Sequence, residues 1–306
     1  MKHIFRYLGV TLLLAGIISA CSPEKITHPS EAGIPSATQI EPVISVDQEI
    51  NQVTFALPAG TKGLIPVWLF QDKTGDWTQY SAQNGLKKIF TTAGDYSVRM
   101  HLMNSNGMSP DFVQKTFQID NTIMTFDKYN TMLTGGSQKE WRIDNSVAGH
   151  MGCGPSGTSG TEWWSANPDD KKDWGVYDNR MTFVLEGNVY QFDPGAAGTI
   201  YVNTGISSEP YGSHNTNDGN DYLYPVEAQT AEWSWEVDGE DLYLILPANT
   251  YWPYYANVYF IANPRFKVES ISTKSADLVI DNGEIAWHFT ITSGAAEVKF
   301  NGFNYN

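Results

Sequence analysis

Thr91 to Gly107 reads TTAGDYSVRMHLMNSNG, and the parity of its middle decides the fold class. Tyr96, Val98, Met100 and Leu102 fall on one side of an extended chain, with Ser97, Arg99 and His101 on the other. An apolar–polar period of two marks a strand with one face in a core and the other in water. Ala93-Gly94-Asp95 before it and Asn104 to Gly107 after it supply turn residues. Working outward, the runs 52–57, 65–70, 88–91 and 112–119 have strand length and are broken by turn signals such as Pro58-Ala59-Gly60. Residues 42–121 therefore predict a small β-sandwich, with Trp68 and Trp77 as core or interface residues.

The same seventeen residues resemble the G-x-Y-x-V-x-L-x-x-x-N-x-x-G signature of PKD domains. That resemblance implies an Ig-like spacer module with no activity of its own.

Residues 122–306 read as a second, larger all-β region, a β-sandwich or jelly roll. Strand candidates are 181–185, 189–192, 199–202, 232–237, 242–246, 258–262, 278–280, 284–292 and 296–300. Gly187-Asn188, Asp238-Gly239 and Asn282-Gly283 are hairpin signals between them. No stretch has an amphipathic helical period. Trp287 shares strand parity with Ile285, Phe289 and Ile291 and is assigned to the core. Trp233 and Trp235 share a face that is either core or a concave sheet surface.

Residues 147–180, VAGHMGCGPSGTSGTEWWSANPDDKKDWGVYDNR, fit neither period. They read as long loops in which Trp163, Trp164, Trp174 and Tyr177 have no strand or helix face to hide them. Two readings are open: a platform for a ligand, or a plug at the end of a β-sandwich core. A second cluster, Trp252, Tyr254 and Tyr255, sits in the proline-interrupted run Asn249-Thr250-Tyr251-Trp252-Pro253-Tyr254-Tyr255. A sugar ring packs its apolar C–H face on an indole or phenol and gives its hydroxyls to acids and amides. The candidate ligand-binding residues are accordingly Trp163, Trp164, Trp252, Tyr177, Asp178, Tyr254, Tyr255 and His150, with Asn167, Asp169, Asp170 and Asn179 nearby.

The chain begins with Lys2 and Arg6, an apolar run from Tyr7 to Ile18, and then Ser19-Ala20-Cys21. That run is too short to span a bilayer and reads as a secretory signal over 1–20, its end resembling a lipobox. Cys21 is then the lipidation site, and the Ser-, Pro- and Thr-rich residues 21–41 form a flexible linker. Only Cys153 is left, so no intrachain disulfide forms; His150 is its one nearby partner, and a packed thiol is favoured over a nucleophile. Losing Lys2 and Arg6 with the leader takes the net charge from −15 to −17, from 17 basic and 34 acidic groups. That much negative charge repels phosphate backbones, which argues against nucleic acid. No cofactor is indicated; Asp218, Asn220 and Asp221 form an oxygen-rich turn that can hold a structural calcium, a plain polar turn being the favoured reading. Glu236, Asp238 and Glu240 give an E-x-D-x-E that resembles the catalytic run of laminarinase-type glycoside hydrolases. They fall on a hairpin turn, where the carboxylates splay into solvent.

Taken in order, lipobox, polar spacer, PKD-like module and aromatic β-region resemble the surface glycan-binding lipoproteins of Bacteroidetes polysaccharide utilization systems. The run from Gly149-His150-Met151-Gly152 through Trp163-Trp164-Ser165-Ala166 and Tyr177-Asp178-Asn179 to Thr182-Phe183 is similar to the C-terminal domains of such proteins from β-glucan loci. The resemblance implies non-catalytic capture of a β-1,3- or mixed-linkage glucan at the outer membrane. It also implies an outer-membrane transporter and surface hydrolases as partners, and contact with the membrane through the lipid alone.

Overall fold

A computed structural model describes residues 33–71, 74–206, 210–214 and 221–294. The leader, Cys21, most of the linker, the run 296–300 and the calcium candidates Asp218 and Asn220 lie outside the described residues. The protein is all-β, with 46% strand against 9% helix. No helix among the described residues is long and apolar enough to cross a membrane.

Between residues 43 and 119 two antiparallel sheets face each other. One holds Val43–Asp47, Gln52–Ala56 and Leu86–Ile89; the other is built on Trp77–Ser81, Ile65–Gln71, Gly94–Asn104 and Val113–Ile119. Gly94–Asn104 is a single strand whose Val98, Met100 and Leu102 are buried while Arg99 and His101 are half-buried, as the alternation requires. Phe55 crosses between the sheets to Trp68, Phe70 and Phe117, with ring centroids 5.7, 5.2 and 5.5 Å away. Of the two tryptophans read as core or interface residues, Trp68 is in the core, while Trp77 is half-buried under the Arg99 guanidinium at 4.1 Å.

The remaining residues build an eleven-stranded sheet around the strand Ile285–Thr292. One edge of that strand pairs with Ser275–Asp281. The other edge forks, because residues 285–289 pair with Met151–Pro155 while residues 291 and 292 pair with Gln138–Ile143. The fork opens a space that a small separate sheet faces. That sheet consists of Thr199–Val202, paired antiparallel with Tyr222–Pro225 and parallel with Tyr254–Tyr255.

Two helices depart from the sequence reading. Asp127–Thr134 buries Tyr129 and Leu133, four apart on one face, and ends on Gly135 at φ 65°. Val258–Ala262, read as a strand, is a helix. A five-residue apolar run has no decisive period, and the Asn257 side chain caps it by accepting from the Tyr259 N–H at 2.9 Å.

The two halves are joined by polar contacts as well as packing. Lys88 and Asp241 pair at 3.0 Å, and Lys267 donates to the Tyr80 hydroxyl at 2.9 Å while lying 2.6 Å from Glu269. Burial pushes the Lys88 pKa down, yet the adjacent Asp241 carboxylate leads the charges that raise it above the usual lysine value. Thr91 donates to both carbonyls of the 239–240 turn, its N–H to Glu240 and its hydroxyl to Gly239.

Candidate functional site

The glycines of GHMGCGPSGTSG have a packing cause. The chain leaves Met151–Pro155, folds back over it, and returns to pair Trp164–Ser165 with Gly152 and Cys153. A Cβ on Gly152 would lie 2.8 Å from the carbonyl oxygens of both Gly160 and Trp164. A Cβ on Gly160, itself at φ 79°, would lie 3.1 Å from the 287–288 backbone. What reads as open loop is thus a strand with a tight cover. Glu162 ties the cover down by accepting from Thr158, Ser159 and the Thr161 N–H at 2.7–2.8 Å.

The outcome is an aromatic residue at a sheet edge. Trp164 is 40% exposed, because no further strand follows the two residues that carry it. It forms one wall of a cavity of about 210 Å3 in the fork of the large sheet. Trp287 and Phe289 form the floor, and Tyr201, Asn203, Tyr254 and Asp221 the opposite wall.

The opposite wall is a hydrogen-bonded polar arc. Lys171 donates to the Tyr201 hydroxyl at 3.3 Å, and Asn203 donates to Asp221 at 3.0 Å and to the Tyr254 hydroxyl at 3.4 Å. The tyrosine rings stack obliquely, Tyr201 lying 5.0 Å from Trp174 and 5.1 Å from Tyr254. Burial first, and then the Asp221 charge, push both phenols well above the usual tyrosine range, so each stays a neutral hydroxyl. Burial likewise raises the Cys153 thiol, which leaves it protonated and a poor nucleophile at neutral pH.

Beneath the cavity runs a buried relay. His150, fully buried, has Nδ1 2.7 Å from the Val147 carbonyl and Nε2 2.6 Å from the Tyr177 hydroxyl. Tyr177 in turn accepts from the Lys171 backbone N–H at 3.0 Å. With the proton on Nδ1, every partner is satisfied, and Lys171 is fixed at the mouth. Asp178 does a similar task on the other wall, accepting from the Ala196 and Ala197 N–H groups just before the strand that carries Tyr201.

Of the sequence-derived candidates, Trp164 and Tyr254 line the cavity. Trp163, 60% exposed, lies outside its lining. Trp252 and Tyr255 are corrected to the core: both are fully buried, and Trp252 packs on Phe266 at 4.3 Å. His150, Tyr177 and Asp178 are positioning residues, buried or bonded inward. Sequence reasoning missed Lys171, Tyr201 and Asn203, whose flanking residues gave no period that points them at a cavity, and placed Asp221 with the calcium candidates. Asp221 instead accepts from Asn203 and the Thr204 N–H. Among the described residues no cluster of three or more His, Cys, Asp or Glu side chains is arranged for a metal.

The E-x-D-x-E run sits on the Ser234–Asp238/Asp241–Ile245 hairpin. Arg265 holds the Glu236 and Asp238 carboxylates at 2.9 and 3.0 Å. None of the three acids lines the cavity. No protein-family model matches the chain, and no curated protein matches it either.

Proposed function

We propose that this protein is a non-catalytic glycan-binding protein that holds a neutral polysaccharide, a β-1,3- or mixed-linkage glucan by sequence resemblance. One observation carries the reading: an exposed indole, Trp164, lines the same cavity as fixed hydroxyl, amide and carboxylate groups. Such a wall gives a sugar hydroxyl both donors and acceptors, while the indole takes its C–H face. Lys171 and Asp221 carry opposite charges, which suits an uncharged ligand. The lipobox at Cys21 supports tethering to the outer membrane, with the polymer passed to surface hydrolases and a transporter.

Affinity electrophoresis of the purified protein through a panel of soluble glycans, with a reducing-end assay alongside, is the test. Retardation by a β-glucan without new reducing ends, lost in Trp164→Ala, is expected. New reducing ends that vanish in Glu236→Gln would replace this reading with the hydrolase one, and migration unaffected by every glycan would end it.

A further inference from the structure

One sheet face of the first sandwich is apolar where it meets water. Val98, Met100 and Leu102 of the strand Gly94–Asn104 enter the core, so Arg99 and Met103 look the other way. Met103 is the Cα partner of both Ile65 and Met108, and directly paired residues share a face. Ile65 and Met108 are 43% and 49% exposed. Further along the strand the Arg99 guanidinium sits between two rings, 4.1 Å from Trp77 and 4.4 Å from Phe112, which is itself 40% exposed. Arg99 donates through Nε to Gln114 at 3.0 Å and has no carboxylate partner among the described residues. A cation framed by aromatic rings, beside aliphatic side chains left in water, stands out on a chain of net charge −15.

The same corner receives the chain coming from Cys21. The Gly33 carbonyl accepts from Asn104 Nδ2 at 2.8 Å and from Asn106 Nδ2 at 3.1 Å, in the turn between Met103 and Met108. Asp111, next to Phe112, accepts from the Ser36 hydroxyl at 2.6 Å and the Ala37 N–H at 2.9 Å, so its carboxylate is turned to the entering chain. Twelve peptide steps separate Cys21 from Gly33, a reach of no more than about 40 Å.

Resting on the reading that Cys21 carries a lipid, we propose that this face docks on the lipid surface that holds the anchor. Ile65, Met108 and Phe112 enter the boundary between headgroups and acyl chains, and Arg99 meets headgroup phosphate. Membrane contact is then not through the lipid alone. Exposed apolar and aromatic side chains with a cation among them suit that boundary. The acidic remainder of the chain is repelled by anionic headgroups, which leaves this face as the one that approaches. A second copy is the poorer occupant, because a twofold contact through this face brings two Arg99 cations into one interface.

The test places the mature lipidated protein, with Cys153→Ser, on vesicles of phosphatidylethanolamine and phosphatidylglycerol. A polarity-sensitive fluorophore is attached at Met108→Cys or, as the control in the second half, at Glu186→Cys. The protein is expected to float with the vesicles, and the label at position 108 to shift to the blue of its emission in the vesicle-free Cys21→Ser form. The label at position 186 is expected not to shift. Combining Ile65→Ser with Phe112→Ser, in a protein whose thermal melt shows it folded, is expected to abolish the shift, and Arg99→Gln to shrink it. An undiminished shift in either variant would mean that these side chains do not make the contact, and the proposal falls. Protein that floats with neither label shifted would overturn the docking and leave the anchor in place. Protein that does not float would remove the anchor and the docking together. A shift that grows with the protein-to-lipid ratio would make the face a contact between copies, which overturns the proposal as well.

Discussion

Residues 163–174 and 249–255 look alike as sequence and end in opposite environments. Each is a short polar or proline-broken run carrying several large rings. Trp164 is left 40% exposed beside a cavity, whereas Trp252 is fully buried against Phe266 and Phe289. The difference lies in what the backbone does on either side. The second run is tied at many points: Asn249 N–H to Ile261, Thr250 to Pro247, Tyr251 N–H to Gln229, and Tyr254 and Tyr255 paired with a neighbouring strand. The first is tied as well, through the Trp163, Ala166 and Asp169 N–H groups, but it begins with a two-residue strand at a sheet edge, with no further strand beyond it to cover an indole. Composition tells which segments hold aromatics; the neighbour across the sheet tells which aromatics stay open.

The comparison breaks most visibly in Trp252→Ala. Emptying a fully buried indole site costs about 3–5 kcal/mol, and each kcal/mol lowers the melting temperature of a domain this size by about 2–4 °C. A thermal melt that hardly moves would mean that Trp252 is not the core residue its burial describes. Trp164→Ala is the converse case. It is expected to leave the melt nearly unchanged and to weaken glycan binding by about 2 kcal/mol, roughly thirtyfold. Trp163→Ala, outside the cavity lining, is expected to change neither by more than a small amount. If Trp163→Ala alone abolished binding, the ligand would lie on the outside of the cover and not in the cavity.

The strands were the legible part of this fold. Gly94–Asn104, Thr199–Val202, Arg180–Val184 and Ile285–Thr292 follow from alternation or apolar runs with turn residues at their ends, since a half-buried strand writes its burial into every second residue. All three hairpin signals stand where predicted, at Gly187-Asn188, Asp238-Gly239 and Asn282-Gly283. Two strands of ordinary length, Gln138–Ile143 and Arg265–Ile271, were missed, and the short elements were not legible. Met151–Pro155 has glycine at two of its five positions and ends in proline, because a cover packs on Gly152 and Gly154 too closely for side chains. Val258–Ala262 depends on one capping asparagine. The site was half legible for the same reason: Trp164 and Tyr254 stand out by type, while Lys171, Tyr201 and Asn203 are made relevant by contacts between distant segments.

The two halves of the molecule sharpen the comparison further. The cover that presents Trp164 is hydrogen-bonded to the first sandwich: the Ser159 N–H donates to the Tyr80 carbonyl at 2.9 Å, and the Ser159 and Ser81 hydroxyls meet at 3.1 Å. Both serines are buried, and Ser159 also donates to Glu162, two residues before Trp164. Ser81→Ala removes one such bond, at a cost of about 1 kcal/mol in stability. Because the loss loosens the cover, a few-fold weaker glycan affinity is expected beside the small drop in melting temperature. Unchanged affinity in a variant with a lowered melt would show that the first half steadies the fold without steadying the site.

The smallest expected effect comes from the relay under Lys171. Burial, opposed by the Val147 carbonyl and by Asp144, Asp170 and Asp169, holds the His150 pKa below the usual histidine value. The ordinary value is about 6.5, so as pH drops below it the unfolded chain takes up a proton that the folded one refuses. The state that binds more protons gains as pH falls, and stability must therefore decline on the acid side of about 6.5. There is also a geometric reason. Protonated His150 has no lone pair on Nε2, so the Tyr177 hydroxyl loses its acceptor and the support of the Lys171 backbone weakens. Melting temperatures taken from about pH 7.5 down to about pH 5 for the protein and for His150→Gln isolate this residue from the other histidines. The variant is expected to melt lower at the upper end and to lose less on acidification. Parallel curves would place the acid sensitivity elsewhere and leave the relay as packing alone.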